Sequence, residues 1–177
     1  AFLEGGAYIR VAPEVCLPQP IYLLFLTRET EMPLATHPRI LIEVGAGSEA
    51  SLIEHYLGQG ESGHFTNTVT EVLTRPGAHL IHCLVQQESQ TSYHIGNIHV
   101  RLERDSRLTS HNISLGGRLV RNDINIALAE TGASALLDGL FLTDGRRHID
   151  NHVRIHHAAA HTSSEVRYRG VADEHGR

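Results

Sequence analysis

The sequence predicts an all-β protein, a flattened right-handed parallel β-helix with about two short strands per coil. Three observations lead there. A small-residue corner recurs near Gly47, Gly77, Ser106 and Gly132, at offsets of 30, 29 and 26 residues. Self-similarity at such a period marks stacked coils that bury their apolar faces against one another. Strand-like runs then follow one another at intervals of roughly 10 to 15 residues with no helical period between them, which disfavours a βαβ protein. Finally, the Asp-Gly pairs that hairpins favour occur only at 138–139 and 144–145. A sandwich or jelly roll, which also has many short strands, therefore ranks second.

The clearest unit is Leu128 to Gly139. A strand ends on Leu128, the chain turns at Gly132-Ala133, an apolar run begins at Ala135, and a second corner is expected at Asp138-Gly139. Looser copies span Val44 to Ala50, Leu73 to Leu80 and Leu102 to Leu108. Taken in order, Tyr8-Ile9-Arg10-Val11 alternates as a half-buried strand after the glycine pair Gly5-Gly6. Pro13, Pro18 and Pro20 then break regular structure. Cys16 sits in that bend and reads as a small apolar filler, because no His lies within twenty residues of it. Ile21 to Thr27 is short and apolar enough to be a strand buried on both faces. Next come Ile40–Val44, Ala50–Leu57, an exposed loop over 58–63, and strands near 65–73, 78–86, 92–102, 107–115, 118–128, 135–142, 148–157 and 162–169. Alternation sets their faces: Ile98, Val100 and Leu102 share one, as do Ile124, Ile126 and Leu128.

Composition excludes several functions. The 177 residues suffice for one domain, residues 1–177, read as a β-helix core whose sequence begins without Met and is a fragment. A net charge of −5 and the absence of Trp provide neither a field for phosphate backbones nor platforms for bases, so nucleic acid is not an expected partner. All 15 basic residues are Arg, which removes any P-loop lysine or Schiff base. Nucleotide hydrolysis must therefore come from another chain. Cys16 and Cys83 lack C-x-x-C spacing, in keeping with a reducing, cytoplasmic setting. No apolar run is long enough to span a membrane.

The groups that carry chemistry are histidines and carboxylates. The 14 His cluster at His79/His82 beside Cys83 and at His148, His152, His156, His157 and His161. His148, His152 and His156 share parity and line one strand face, a spacing that suits a solvated row better than a closed metal site. His82 and Cys83, as strand neighbours, point to opposite faces. No tightly bound metal is expected. Asp138, Asp144 and Asp150 offer carboxylates of the kind that carbohydrate-active β-helix enzymes pair, but Asp138 and Asp144 each precede Gly and read as turn residues. Asn112-Ile113-Ser114 is a chance sequon. No catalytic residue is named.

His161-Thr162-Ser163-Ser164-Glu165-Val166-Arg167-Tyr168-Arg169-Gly170-Val171-Ala172-Asp173, preceded by Asp150-Asn151-His152 and His156-His157, resembles the core of the SufB/SufD family of iron–sulfur cluster assembly proteins. Leu115 to Asp123 and Leu128 to Gly139 extend the match, and Leu3-Glu4-Gly5-Gly6 with the segment after Pro20 looks like SufD rather than SufB. The resemblance implies a non-enzymatic scaffold that pairs with SufB and works with the ATPase SufC. Helical regions lie beyond this core, and the cluster is handled by the whole complex. It assigns no cofactor-binding residue here. Rival readings are a carbohydrate-active enzyme and a purely structural solenoid. Exposed backbone on a terminal coil would pair with another strand, so the isolated core is expected to self-associate.

Overall fold

The coils turn at one end on a residue held at positive φ, followed in the four central coils by a small buried one. In the computed structural model, which describes residues 5–29, 31–32, 34–60 and 63–176, the positive-φ column is Glu14, Gly47, Gly77, Asp105, Gly132 and His161. The next residues, Ser48, Ala78, Ser106 and Ala133, are fully buried. Ser48 N–H donates to Gly45 O, Ala78 to Arg75 O, Ser106 to Glu103 O and Ala133 to Glu130 O. A bond from i+3 to i, with positive φ at i+2, is the signature of a type II turn, and Pro76-Gly77 is its favoured pair. The corners then bond to one another along the stack: Gly47 N–H donates to Pro76 O (3.0 Å), Gly77 to Arg104 O (2.8 Å) and Asp105 to Thr131 O (3.0 Å). The predicted corner column is thus corrected at one position. Asp105 is the equivalent of the glycines, and Ser106 belongs with the buried small residues.

Among the described residues, thirteen strands run between the corners. They are β1 (Gly6–Val11), β2 (Ile21–Thr27), β3 (Leu34–Thr36), β4 (Arg39–Val44), β5 (Glu49–Gly58), β6 (His64–Thr74), β7 (His79–Gln87), β8 (Tyr93–Leu102), β9 (Arg107–Ser114), β10 (Leu119–Leu128), β11 (Ser134–Thr143), β12 (His148–His157) and β13 (Ser163–Ala172). One sheet has the order β1-β4-β6-β8-β10-β12, and the other β13-β11-β9-β7-β5-β2. Every pairing is parallel. The chain is therefore a parallel β-solenoid, and the sandwich alternative falls. β3 pairs with β6 in the register that β4 continues, Leu34 opposite His64 and Arg39 opposite Val69. Pro38 lies between them; lacking an N–H, it interrupts the ladder without shifting it.

Strict alternation decides what faces the interior. β6 reads buried and half-buried in turn along its whole length. Near the type II corners the inward columns are apolar: Ile42, Val72, Val100 and Ile126 on one sheet, Ala50, Leu80, Leu108 and Ala135 on the other. This half is the hydrophobic core, stacked in register along the axis.

Three expectations fail. Ile21–Thr27 is not buried on both faces, since Tyr22, Leu24 and Leu26 are exposed along β2. Asp138-Gly139 is no corner but the middle of β11, where Gly139 faces Tyr168 so closely that a Cβ would lie 2.1 Å from its ring. Asp138 therefore has no turn role, whereas Asp144-Gly145 does: Arg147 N–H donates to Asp144 O, with Gly145 at φ 57°. Cys16 is exposed rather than a filler. Its Sγ lies 3.8 Å from Glu49 Oε2, at an isolated bridge that carries the chain into the next coil. Residues 61 and 62 of the expected loop, and Leu3-Glu4 of the N-terminal resemblance, lie outside the described residues.

Candidate functional site

Away from the type II corners, the inward positions are polar. The same parity that buries Leu52 buries Glu54, and the parity that buries Val72 buries Thr66, Thr68 and Thr70. Glu54 and Glu88 are 1% and 4% exposed. Burying an ionised carboxylate is tolerated only when donors satisfy it. Glu54 accepts hydrogen bonds from Tyr56 Oη (2.6 Å), Thr70 Oγ1 (2.9 Å) and His82 Nε2 (3.0 Å). Glu88 accepts from His64 Nε2 (3.0 Å) and Thr66 Oγ1 (2.5 Å) on one oxygen, and from Gln86 Nε2 (2.9 Å) and His94 Nδ1 (2.8 Å) on the other.

These donors set the charge state. Burial pushes the Glu54 carboxyl upward, but the hydrogen bonds from His82, Tyr56 and Thr70 outweigh it and hold the group below the usual carboxylate range. Burial opposes ionisation of Glu88 as well; there His64, His94 and Gln86 prevail and hold the group well below that range. Burial, and then the Glu54 charge, drive the Tyr56 phenol well above its ordinary value, so it stays a donor. The Tyr56 ring stacks on Phe25 (4.8 Å between centroids, 12° between planes) and meets His94 edge-on, which ties the two clusters together.

Further along, Asn122 Nδ2 donates to Asn151 Oδ1 (3.0 Å) and Ser114 Oγ (3.3 Å). Gly96 keeps this part of the lumen open, since a Cβ there would lie 3.1 Å from Asn122 Oδ1 and 3.2 Å from His94 Nε2. Both carboxylates are saturated by fixed donors. That arrangement makes them interior pins, each joining several strands, rather than bases that reach solvent.

The sequence-named side chains lie elsewhere. Cys83 is on the outer face, opposite in facing to the buried His82, and burial raises its thiol pKa. In register across the outer face of that sheet stand Cys83, His111, Asp138 and Arg167. Asp138 is paired to Arg167 at 2.7 Å. His148, His152 and His156 do share the exposed face of β12. His152 pairs with Asp123 (3.1 Å), and Asp150 with Arg121 (2.8 Å). His157, near the strand end, bonds Thr162 and Ser164 instead. His161 occupies the positive-φ corner. Among the described residues, no three His, Cys, Asp or Glu side chains are grouped to hold a metal ion. Asp138 and Asp150 lie on different sheets, so they form no acid pair across adjacent coils. Asn112 is buried, and its side chain faces inward beside Ser110.

Sequence reasoning missed Glu54, His64, Glu88 and His94. The available signal was a set of polar residues at the parity of the apolar columns: Glu54 two residues after Leu52, and His94 four before Ile98.

Comparison with known proteins places this architecture. The SufBD core domain of the SUF system of FeS cluster assembly matches residues 25–177. The chain is 34% identical over 122 residues to the chloroplastic protein ABCI7 of Arabidopsis thaliana, covering 64% of this chain and 26% of that protein. It is 24% identical over 183 residues to an iron–sulfur cluster assembly SufBD family protein of Synechocystis, covering 99% and 40%. To the iron–sulfur cluster assembly protein SufD of Escherichia coli it is 23% identical over 161 residues, covering 90% and 38%. The chain thus spans between 26% and 40% of the length of these relatives.

Proposed function

Because the chain belongs to the SufB/SufD family of iron–sulfur cluster assembly proteins and is SufD-like, we propose that it is the core of a non-enzymatic scaffold subunit. In this reading it pairs with a SufB-like β-helix and works in the cytoplasm with the ATPase SufC. The cluster is then cargo of the whole complex, and no tight cofactor belongs to this core.

The observation that carries the reading is the match of the SufBD core domain to residues 25–177, together with the all-parallel solenoid those residues form. Its coils are held by nearest-neighbour stacking, so a second β-helix is a mate of matching architecture. The saturated interior carboxylates support a scaffold over a hydrolase, since general acid–base work needs a carboxyl that reaches its substrate.

Co-expression of the full-length protein with SufB and SufC tests this. A defined complex that survives sizing is the expected result. Failure to co-purify with either protein would overturn the reading.

A further inference from the structure

On the outer face of the sheet that contains β8, β10 and β12, the arginines divide into two groups. Arg10, Arg39 and Arg121 each have an acidic partner: Glu43 for Arg10, Glu71 for Arg39, and Asp123 and Asp150 for Arg121. The side chains of Arg101 and Arg154 have none among the described residues. Two guanidinium groups without an acidic partner thus stand on one face of a chain whose net charge is −5.

Register places them around a single floor. Ala127 of β10 lies between Arg101 of β8 and His156 of β12, and Asn125 lies between His99 and Arg154. With strands about 4.8 Å apart and about 3.3 Å per residue, these four side chains frame a rectangle about 10 Å by 7 Å. All four are exposed, and the central strand contributes only the short Asn125 and Ala127. The result is a groove of about 460 Å³ that extends over Leu41 and Leu73. Leu41 is 42% exposed there. Glu71, the acidic residue of the lining, is engaged by Arg39.

The geometry points to a binding site for a small organic anion, with a compact apolar or aromatic body seated on the Ala127 floor. Its phosphate or carboxylate would be held between Arg101 and Arg154. Guanidinium groups bind either oxyanion through two parallel N–H donors, and two such groups on opposite walls can converge on one anion. The volume is in the range of small-molecule sites, and an apolar lining with a few polar groups is their usual composition. This site is separate from the interior clusters.

Calorimetric titration of the full-length protein with 1-naphthyl phosphate, 1-naphthoate and inorganic phosphate tests the inference. One of the naphthyl anions should bind saturably and more tightly than inorganic phosphate, and the tighter of the two identifies the anionic group. R101Q combined with R154Q should weaken that binding by about tenfold or more. Ala127→Leu, which fills the floor and leaves both charges, should weaken it too. R169Q, on the other sheet, should change nothing. Absence of saturable binding at millimolar ligand would overturn the inference. So would a folded double variant that binds like the wild type, or inorganic phosphate binding as tightly as both naphthyl anions.

Discussion

The coil of β8 and β9 and the coil of β12 and β13 have the same corner, the same parallel ladder and the same alternation, yet their inward faces differ in burial. Leu102 at the end of β8 is fully buried, and Ile98 and Val100 nearly so. Along β13 only Tyr168 is half-buried, and every other residue is exposed. Local turn chemistry and backbone pairing therefore shape a coil, whereas neighbours on both sides bury it. A solenoid is stabilised by nearest-neighbour interfaces, so its centre and its edges should respond differently to the same kind of change.

The largest effect should come from a central polar pin. Glu88→Ala leaves His64, Thr66, Gln86 and His94 without their shared acceptor, and should cost about 3–5 kcal/mol by denaturant unfolding, as for a buried ion pair that loses one partner. A loss under about 1 kcal/mol would mean that the cluster repacks or hydrates freely.

An apolar contrast comes next. In the 177-residue chain, Leu102→Ala opens a cavity in the fully buried column and should cost about 2–5 kcal/mol, while Val166→Ala, at a half-exposed position of that chain, should cost about 1 kcal/mol or less. Equal costs would show that the end coil is as well packed as the centre. Far smaller equal costs would show that neither column carries the fold.

Acid should act on the centre first. Glu54 and Glu88 both have lowered folded-state pKa values, so their stabilisation is present above the ordinary glutamate range. It is lost as pH falls from that range through the lowered values. Stability should therefore decline with acidification below the ordinary range, and Glu88→Gln should flatten that slope. An unchanged slope would show that other carboxylates govern acid unfolding.

The smallest effect concerns the corner. Asp105 occupies a left-handed conformation that glycine fills in the neighbouring coils (φ 54° against 69° at Gly77 and 79° at Gly132). Asp105→Gly relieves that strain but frees the unfolded chain, so thermal unfolding should show stabilisation of less than about 1 kcal/mol. A marked loss would assign the Asp105 side chain a role in the turn.

The parts of this fold legible in sequence are those where one chemistry repeats. Gly47, Gly77 and Gly132 mark the corner because positive φ favours glycine, and Ile98-Val100-Leu102 marks a face because apolar residues alternate with polar ones. Asp105 hid its corner because a non-glycine can also take that conformation, which shifted one equivalence to Ser106. Asp138-Gly139 misled because Asp-Gly is read locally as a turn, whereas Gly139 is required by the Tyr168 ring on the next strand. The interior clusters were illegible for a related reason: an inward Glu, His or Thr has no hydropathy signal. Glu54 and His82 meet across two strands 28 residues apart in sequence. Burial of such groups depends on partners that only the stacking brings together.

The scaffold account is tested most directly by hydrogen–deuterium exchange on the full-length protein, alone and with SufB. Amides of the central strands β7 to β10 are already covered on both sides and should exchange equally slowly in both states. Amides of this core outside those strands should become protected in the complex. Protection confined to segments outside this core, with every strand of the core unchanged, would contradict a role for the core in pairing with SufB.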